Sequence, residues 1–234
     1  MDFDNVPGAL ALIPDGNRRW AKHHSLSFLN GYAQGVEKFM DFAEWCKDYG
    51  VRNVTVWAFS TENFTRPSPE REALFDLYKK AANDKEMLVR LHNSKARFNV
   101  IGNRTLLPRD LIEKLHKVEL ETKRYKDGAI NMLIAYGGKD DILHAAAELV
   151  NDAINKKVKK VTEALFRERM LSYQVPDIDL MIRTSGEERL SGFMPWQTGY
   201  SELYFSKKLW PDFTKSDLKK ALGAYDKRQR RFGT

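Results

Sequence analysis

Asp15 is followed at once by Gly16-Asn17 and then by Arg18-Arg19-Trp20. A carboxylate, two turn-forming residues and two guanidinium groups in so short a run suit a phosphate group held partly through a divalent cation. If the run opens a helix, its free backbone N–H groups add to the anion site. Taken alone, Asp15 reads equally well as a helix N-cap. Two further polar runs carry the same kind of chemistry: Ser60 to Arg66, and Arg183-Thr184-Ser185-Gly186-Glu187 with Arg189 and Ser191 just beyond. Arg19, Arg183 and Arg189 can clamp phosphate oxygens bidentately, and Ser191 with the Gly16 and Asn17 backbone can add neutral donors. The chain has no Walker loop, GxSxG, CxxC pair or HExxH, and His23, His24, His92, His116 and His144 lack metal-binding spacing. Arginines without a nucleophile point to a reaction whose leaving group is an already activated phosphate. Trp20, Trp57, Phe59, Phe64, Trp196, Tyr200 and Tyr204 flank the polar runs. Core packing accounts for Trp57 and Tyr204, whereas Phe64, close to Asn63 and Arg66, equally suits a ligand. A substrate with a phosphate head and an apolar tail fits this mixture.

Each polar run follows a stretch that reads as a buried strand. Ala9–Ile13 is a short apolar run ending at Pro14, and Val51–Ser60 is apolar and β-rich. Ala96–Ile101, Ala129–Tyr136, Leu180–Arg183 and Glu202–Phe205 complete six predicted strands. Between them, helical spacing predicts helices over Gly31–Tyr49, about 70–93, Pro108 to about Arg124, about Asp140–Lys156, Ala164–Ser172, and Thr214 into Arg230. Strands alternating with helices imply one α/β domain over 1–234 with a mostly parallel sheet. Ligands of such sheets bind beyond the carboxyl ends of the strands, so the three runs are expected to share one crevice.

Apolar residues make up 42% of the chain, enough for a substantial core and against disorder. The single cysteine, Cys46, rules out an internal disulfide and fits a reducing compartment. There is no signal-peptide pattern and no apolar run long enough to span a membrane, so a cytoplasmic location is expected. Of the formal charge of +7, nine Lys/Arg against three Asp/Glu place +6 in Lys207–Thr234. Such an end can attract nucleic acid, an anionic membrane face or phosphorylated ligands, or simply form a solvated helix face.

The motifs resemble those of the cis-prenyltransferases, the undecaprenyl and dehydrodolichyl diphosphate synthases. The resemblance runs through Asp15 to Lys22, Ala58 to Phe64, Arg66-Pro67, Tyr136-Gly137-Gly138, Arg183 to Glu187 and Arg189-Leu190-Ser191. It continues in Trp196-Gln197, Glu202 to Phe205, Leu209 to Phe213 and Arg230 to Gly233. It implies six mainly parallel strands surrounded by helices, a homodimer, and Mg²⁺-dependent condensation of isopentenyl diphosphate onto an allylic prenyl diphosphate with cis geometry. Asp15 would hold Mg²⁺ and help the allylic diphosphate leave. Gly16, Asn17, Arg18, Arg19 and Trp20 would bind that diphosphate. Ser60, Asn63 and Phe64, with Arg66 beside them, would position the reacting carbons and the proton to be lost. Arg183, Arg189 and Ser191 would grip isopentenyl diphosphate. Glu202, a second metal ligand, and the terminal Arg231 and Gly233 would reach across the dimer. The growing chain would lie in a tunnel lined by the 70–93 helix and central strands, with peripheral membrane contact made through the product.

Several positions depart from the family pattern. Phe28 and Tyr32 stand where an arginine and a histidine are common, Arg18 where bacterial members have glycine, Glu188 where they often have histidine, and Ala135 where asparagine usually precedes Tyr-Gly-Gly. These changes around the allylic site keep open irregular condensation of two allylic diphosphates, such as dimethylallyl diphosphate. The family's inert partner subunits lack the aspartate motif and the arginine-serine set, which this chain has. A nucleic-acid binder using the basic tail would leave the three strand-end runs unexplained, so no nucleic-acid partner is expected.

Overall fold

The computed structural model describes residues 3–228. Its sheet has six strands: β1 (Ala9–Ile13), β2 (Asn53–Ser60), β3 (Ala96–Ile101), β4 (Gly128–Tyr136), β5 (Leu180–Arg183) and β6 (Glu202–Phe205). They lie in the order β3-β4-β2-β1-β5-β6, and every pairing among them is parallel. All five residues of β1 are buried, as a central strand covered on both faces requires. Leu10 and Leu12 pack on one side with Phe42, Trp210 and Phe213. Ala9, Ala11 and Ile13 pack on the other with Leu133, Met181 and Phe193. The register sets Ile13 opposite Arg183, and Ser60 opposite Tyr136. The carboxyl ends that carry the polar runs therefore emerge together on one edge.

Among the described residues eight α-helices surround the sheet: α1 (Asn17–His23), α2 (Phe28–Asp48), α3 (Ser68–Asn83), α4 (Lys85–Ser94), α5 (Arg109–Thr122), α6 (Gly138–Ile154), α7 (Glu163–Glu168) and α8 (Lys215–Asp226). Three differences from the sequence expectation have local causes. The single helix expected over about 70–93 is two helices. Asp84 leaves the helical conformation with ψ 120°, and its side chain accepts the Met87 N–H, so it caps α4. Helix α2 begins at Phe28, not Gly31, because Ser27 serves as its cap. Helix α7 stops at Glu168 and α8 at Asp226; Arg230 lies outside the described residues. Among the described residues no helix is long and apolar enough to cross a membrane.

Candidate active site

The turn after β1 is built for close packing. Gly16 has φ +111°, in the left-handed region, and a Cβ there would come within 2.9 Å of Leu209 Cδ2. On α2, side chains at Gly31 and Gly35 would each approach Asn17 oxygen atoms to 2.3 Å, so two glycines one turn apart seat α1 against α2. This fixes Asp15 and Asn17 at the edge of the sheet. The Asn17 amide donates to Pro14 O at 3.0 Å, while its buried Oδ1 has no hydrogen-bond partner among the described residues.

The run after β5 meets this turn directly. Arg183, 5% exposed, donates through Nη2 to Asp15 Oδ2 at 2.9 Å and through Nη1 to Ser191 Oγ at 2.9 Å and to the Arg189 carbonyl. Its buried Nε has no partner among the described residues. Thr184 Oγ1 donates to the Asp15 carbonyl at 2.7 Å, and Arg19 Nη2 to Ser185 Oγ at 2.7 Å. Ser185, Gly186, Ser191 and Gly192 all have positive φ, so this edge holds two tight turns.

The run after β2 forms the facing rim. Ser60 begins a short 3-10 turn (Thr61–Thr65), closed by a reciprocal cap in which Ser60 N donates to Asn63 Oδ1 at 3.2 Å. Arg66 donates to Tyr32 OH at 3.0 Å and lies 5.9 Å from the ring centres of Tyr32 and Phe59. Glu70 Oε1 accepts from both Arg66 and Arg18, and Arg18 also stacks over Phe28. Nothing in the hydropathy pattern singled out Glu70. Its position four residues after Arg66, near the start of a helix, was the available signal.

A cavity of about 700 Å³ opens between these rims. Asp15 to Arg19 line one side of the mouth, Ser60, Asn63 and Arg66 the other, and Ser191 a third. Behind the mouth the wall is apolar: Val36 and Phe39 of α2, Leu88 and Leu91 of α4, and Val56 and Met132 of the sheet. Tyr78 is the polar group on this wall. Its hydroxyl donates to Ala58 O at 2.8 Å, and burial, then the neighbouring Tyr32, push its pKa up, so it stays neutral. The mouth is charged and the interior apolar, which suits a molecule with an anionic head and a hydrocarbon tail.

Other expected residues sit elsewhere. Trp20 is outside the cavity wall, stacked on His24 at 4.2 Å and donating to Asp212. Phe64 is half-buried and packs with Phe59 and Phe75, its ring centre 5.1 Å from that of Phe59. Trp57, expected only in the core, lines the cavity and donates to Tyr136 O. The Arg189 side chain is 61% exposed and pairs with Glu187. Glu202 begins β6, at the opposite end of the sheet, and pairs with Arg228 at 2.6 Å. It lies about 16 Å along the strands and about 10 Å across two of them from Asp15, so one chain does not unite the two carboxylates. Arg231 and Gly233 lie outside the described residues.

Sequence reasoning also missed a buried polar knot behind the site. Asp141, fully buried, accepts from Tyr136 OH at 2.9 Å, from Ser172 Oγ, and from Leu171 N at 2.6 Å. Burial first, then the Asp141 charge, push the Tyr136 phenol far up, so it remains a donor. The knot anchors the start of α6, where Gly138 N donates to Gly192 O at 3.1 Å and so steadies the turn after Ser191.

Comparison with known proteins gives these groups a setting. A family model described as putative undecaprenyl diphosphate synthase matches residues 13–233. An isoprenyl transferase from Thermotoga maritima is 42% identical, over 97% of each chain. Dehydrodolichyl diphosphate synthase 1 from Arabidopsis thaliana is 43% identical, over 97% of this chain and 76% of its own. Among solved structures, lavandulyl diphosphate synthase from Lavandula x intermedia, in complex with dimethylallyl diphosphate, has a TM-score of 0.88 at 30% identity, over 98% of this chain and 99% of its own. A probable undecaprenyl diphosphate synthase from Campylobacter jejuni has a TM-score of 0.80 at 32% identity, over 98% of this chain and all of its own. Matched over nearly its whole length in both sequence and fold, the chain belongs to the undecaprenyl diphosphate synthase family of prenyltransferases.

Proposed function

We propose that the protein condenses isopentenyl diphosphate with an allylic prenyl diphosphate in successive steps, forming a cis polyprenyl diphosphate. The observation that carries this reading is the apolar cavity of about 700 Å³ behind a mouth of guanidinium and carboxylate groups. In each step the allylic C1–O bond breaks, the isopentenyl double bond supplies the electron pair of the new C–C bond, and a proton leaves the adjacent carbon. Gly16, Asn17 and Arg19 bind the departing diphosphate, with Arg18 on the flank toward α3. Arg183, Arg189 and Ser191 hold isopentenyl diphosphate. Ser60 and Asn63, locked by their reciprocal cap, face the carbons that react. The apolar wall keeps water from the allylic cation.

A divalent cation, taken here as Mg²⁺, fits the donors. One Asp15 oxygen bonds Arg183; the other makes no hydrogen bond among the described residues, and the buried Asn17 Oδ1 is also unmatched. Asp15 would hold the cation, which would stabilise the charge that develops on the leaving diphosphate. Among the described residues no group of three or more His, Cys, Asp or Glu could hold a metal, so substrate oxygens would complete its shell. Glu202 would have to come from a second subunit.

A homodimer is supported by α6. Leu143, Val150 and Ile154 recur on its outer side at 66%, 59% and 73% exposure, an apolar stripe that a second copy would cover. The likeness to lavandulyl diphosphate synthase, together with Tyr32 at the mouth and Phe28 packed beside it, favours a second reading, irregular condensation of two allylic diphosphates. Product analysis by mass spectrometry separates the readings. Cis-elongated products from isopentenyl diphosphate and an allylic primer, with none from dimethylallyl diphosphate alone, are expected. Branched products from dimethylallyl diphosphate alone would favour the second reading, and no product under either condition would refute both.

A further inference from the structure

The cavity has two unlike ends. Its mouth is at the carboxyl edge of the sheet, and its far wall is formed by Leu91, Val118 and Ile130, near the amino ends of β3 and β4. Just beyond Leu91 and Val118, His92, Leu120 and Lys123 border a shallow surface hollow. A chain that outgrows the cavity therefore meets this pole of the molecule.

The pole is strongly basic. Arg52 precedes β2, Lys95 and Arg97 start β3, and Lys123, Arg124 and Lys126 form the turn before β4; all six are exposed. The pairings Asn53–Ala129 and Ala96–Gly128 place these three strand starts side by side, within about 10 Å. Among the described residues none of the six forms an ion pair. Lys95 and Arg124 instead lie over the Tyr125 ring, at 5.2 and 5.4 Å. The nearby carboxylates do not cancel this charge: Glu121 is engaged by His92 and Lys117, which leaves Asp127. The other half of the same edge is balanced, since around β5 and β6 Asp177 pairs with Arg167 and Glu202 with Arg228. The six cations without ion pairs thus lie on the half beneath which the cavity runs. Two exposed apolar residues accompany it, Leu120 at 56% and Val89 at 57%, the latter one helical turn before His92.

From this juxtaposition we infer that the β2–β3–β4 pole docks on an anionic lipid surface; the inference rests on the proposed prenyl-chain cavity. Unneutralised Lys and Arg with a few apolar side chains are what an anionic bilayer attracts at its interface. Docked this way, the mouth faces the aqueous diphosphates and the hydrocarbon end of the cavity faces the bilayer. Nucleic acid would also be drawn to the charge, but it has no use for the apolar pair or for a hydrocarbon cavity behind them.

The test is co-sedimentation of the full chain with phosphatidylcholine vesicles and with phosphatidylcholine–phosphatidylglycerol vesicles. Expected is binding to the anionic vesicles alone, weakened by salt, and at least about tenfold weaker for the combined Lys95→Gln, Lys123→Gln and Arg124→Gln variant. A Lys159→Gln, Lys160→Gln control, altered in the segment between α6 and α7, should bind as the wild type does. Condensation rates with soluble substrates should be unchanged in both variants, which shows that their folds are intact. Equal binding to neutral vesicles, or an unaffected triple variant, would overturn the inference. So would tighter binding to a duplex DNA oligomer lost in the same variant. An active enzyme that ignores anionic vesicles would overturn the docking alone, whereas an inactive one that binds them would overturn the proposed reaction alone.

Discussion

Asp15 has two duties in this site, as the hard oxygen ligand at the mouth and as the carboxylate beside the buried Arg183 guanidinium. Substitutions should separate them. Asp15→Ala strands Arg183, and with Asp15 one-third exposed the cost is about 1–3 kcal/mol. Asp15→Asn keeps an oxygen to accept from Arg183 but loses the negative charge a cation needs. Turnover of Asp15→Asn should fall at least about a hundredfold, with a smaller drop in Tm than for Asp15→Ala. Paired assays and thermal melts check this, and near-normal turnover of Asp15→Asn would remove the metal role. Arg18 gives a subtler case. Its charge lies beside Phe28 and Tyr32, which stand where an arginine and a histidine are common. In the structure that charge is already matched, because Glu70 takes both Arg18 and Arg66 and leaves one net positive charge at this corner. Arg18 is also half exposed, so Arg18→Gly should raise the KM of the allylic substrate only about three- to tenfold, less than a fully buried charge-assisted bond would imply. The KM for isopentenyl diphosphate should hardly move. At this scale the chemistry-bearing residue types were legible because few positions combine charge, turn chemistry and a strand end. The pairing of Glu70 with Arg18 was not, since it joins residues 52 apart in the chain.

Strands were easier to read than helices, for a physical reason. Ala9–Ile13, Ala96–Ile101, Leu180–Arg183 and Glu202–Phe205 have the bounds their sequences imply, because each is a short apolar run flanked by Gly, Pro, Asn or charge. The break between α3 and α4 was hidden because apolar residues keep helical spacing through it, from Leu77 and Ala81 to Leu88 and Leu91. One side-chain hydrogen bond, from Met87 N to Asp84, decides the matter. Asp84→Ala removes that cap at a cost of about 1 kcal/mol, which should lower Tm by about 2–4 °C in a chain of this size. Because Ala81, Ala82, Met87 and Leu88 line the cavity on both sides of the break, the same variant should also change the spread of product lengths. A second capping device holds α8, where Thr214 and Asp217 cap each other. Partial burial tends to raise the Asp217 pKa, but the bonds from Thr214 and the charges of Lys208 and Lys220 outweigh it and hold the carboxyl below its ordinary range. A lowered folded pKa means the stabilisation is complete above the unfolded value, near 3.9, and fades as pH falls through the folded one. Asp217→Asn should therefore melt below the wild type at neutral pH, with the gap closing in acid. A gap that stays constant from neutral pH to pH 3 would rule out the charge as its source.

For the whole molecule, the distribution of charge differs most from its linear appearance. The C-terminal run read as either an interaction surface or a solvated helix face; in the structure Lys208 and Lys220 pair with Asp217, Lys215 with Asp48, and Arg228 with Glu202. Much of that charge holds α8 in place, while six exposed cations without ion pairs among the described residues gather at three separate strand starts. One chain does not unite Asp15 with Glu202, so the second copy proposed above would have to bring them together. The exposed stripe on α6 is where that copy would bind. Val150→Asp combined with Ile154→Asp should yield monomers by light scattering, with a large loss of condensation activity although every mouth residue is unchanged. Complementation then separates a missing partner from a damaged fold. A chain lacking residues 230–234 keeps its own Asp15 but cannot offer its terminal arginines to a neighbour, and Asp15→Ala has the reverse defect. Each homodimer should be nearly inactive. Mixed and allowed to exchange subunits, they should regain up to about a quarter of wild-type activity, because random pairing makes half of all dimers mixed and each mixed dimer holds one complete site. Recovery should disappear when both defects are carried on the same chain. Mixtures no more active than the two homodimers, despite demonstrated subunit exchange, would place each active site within a single chain.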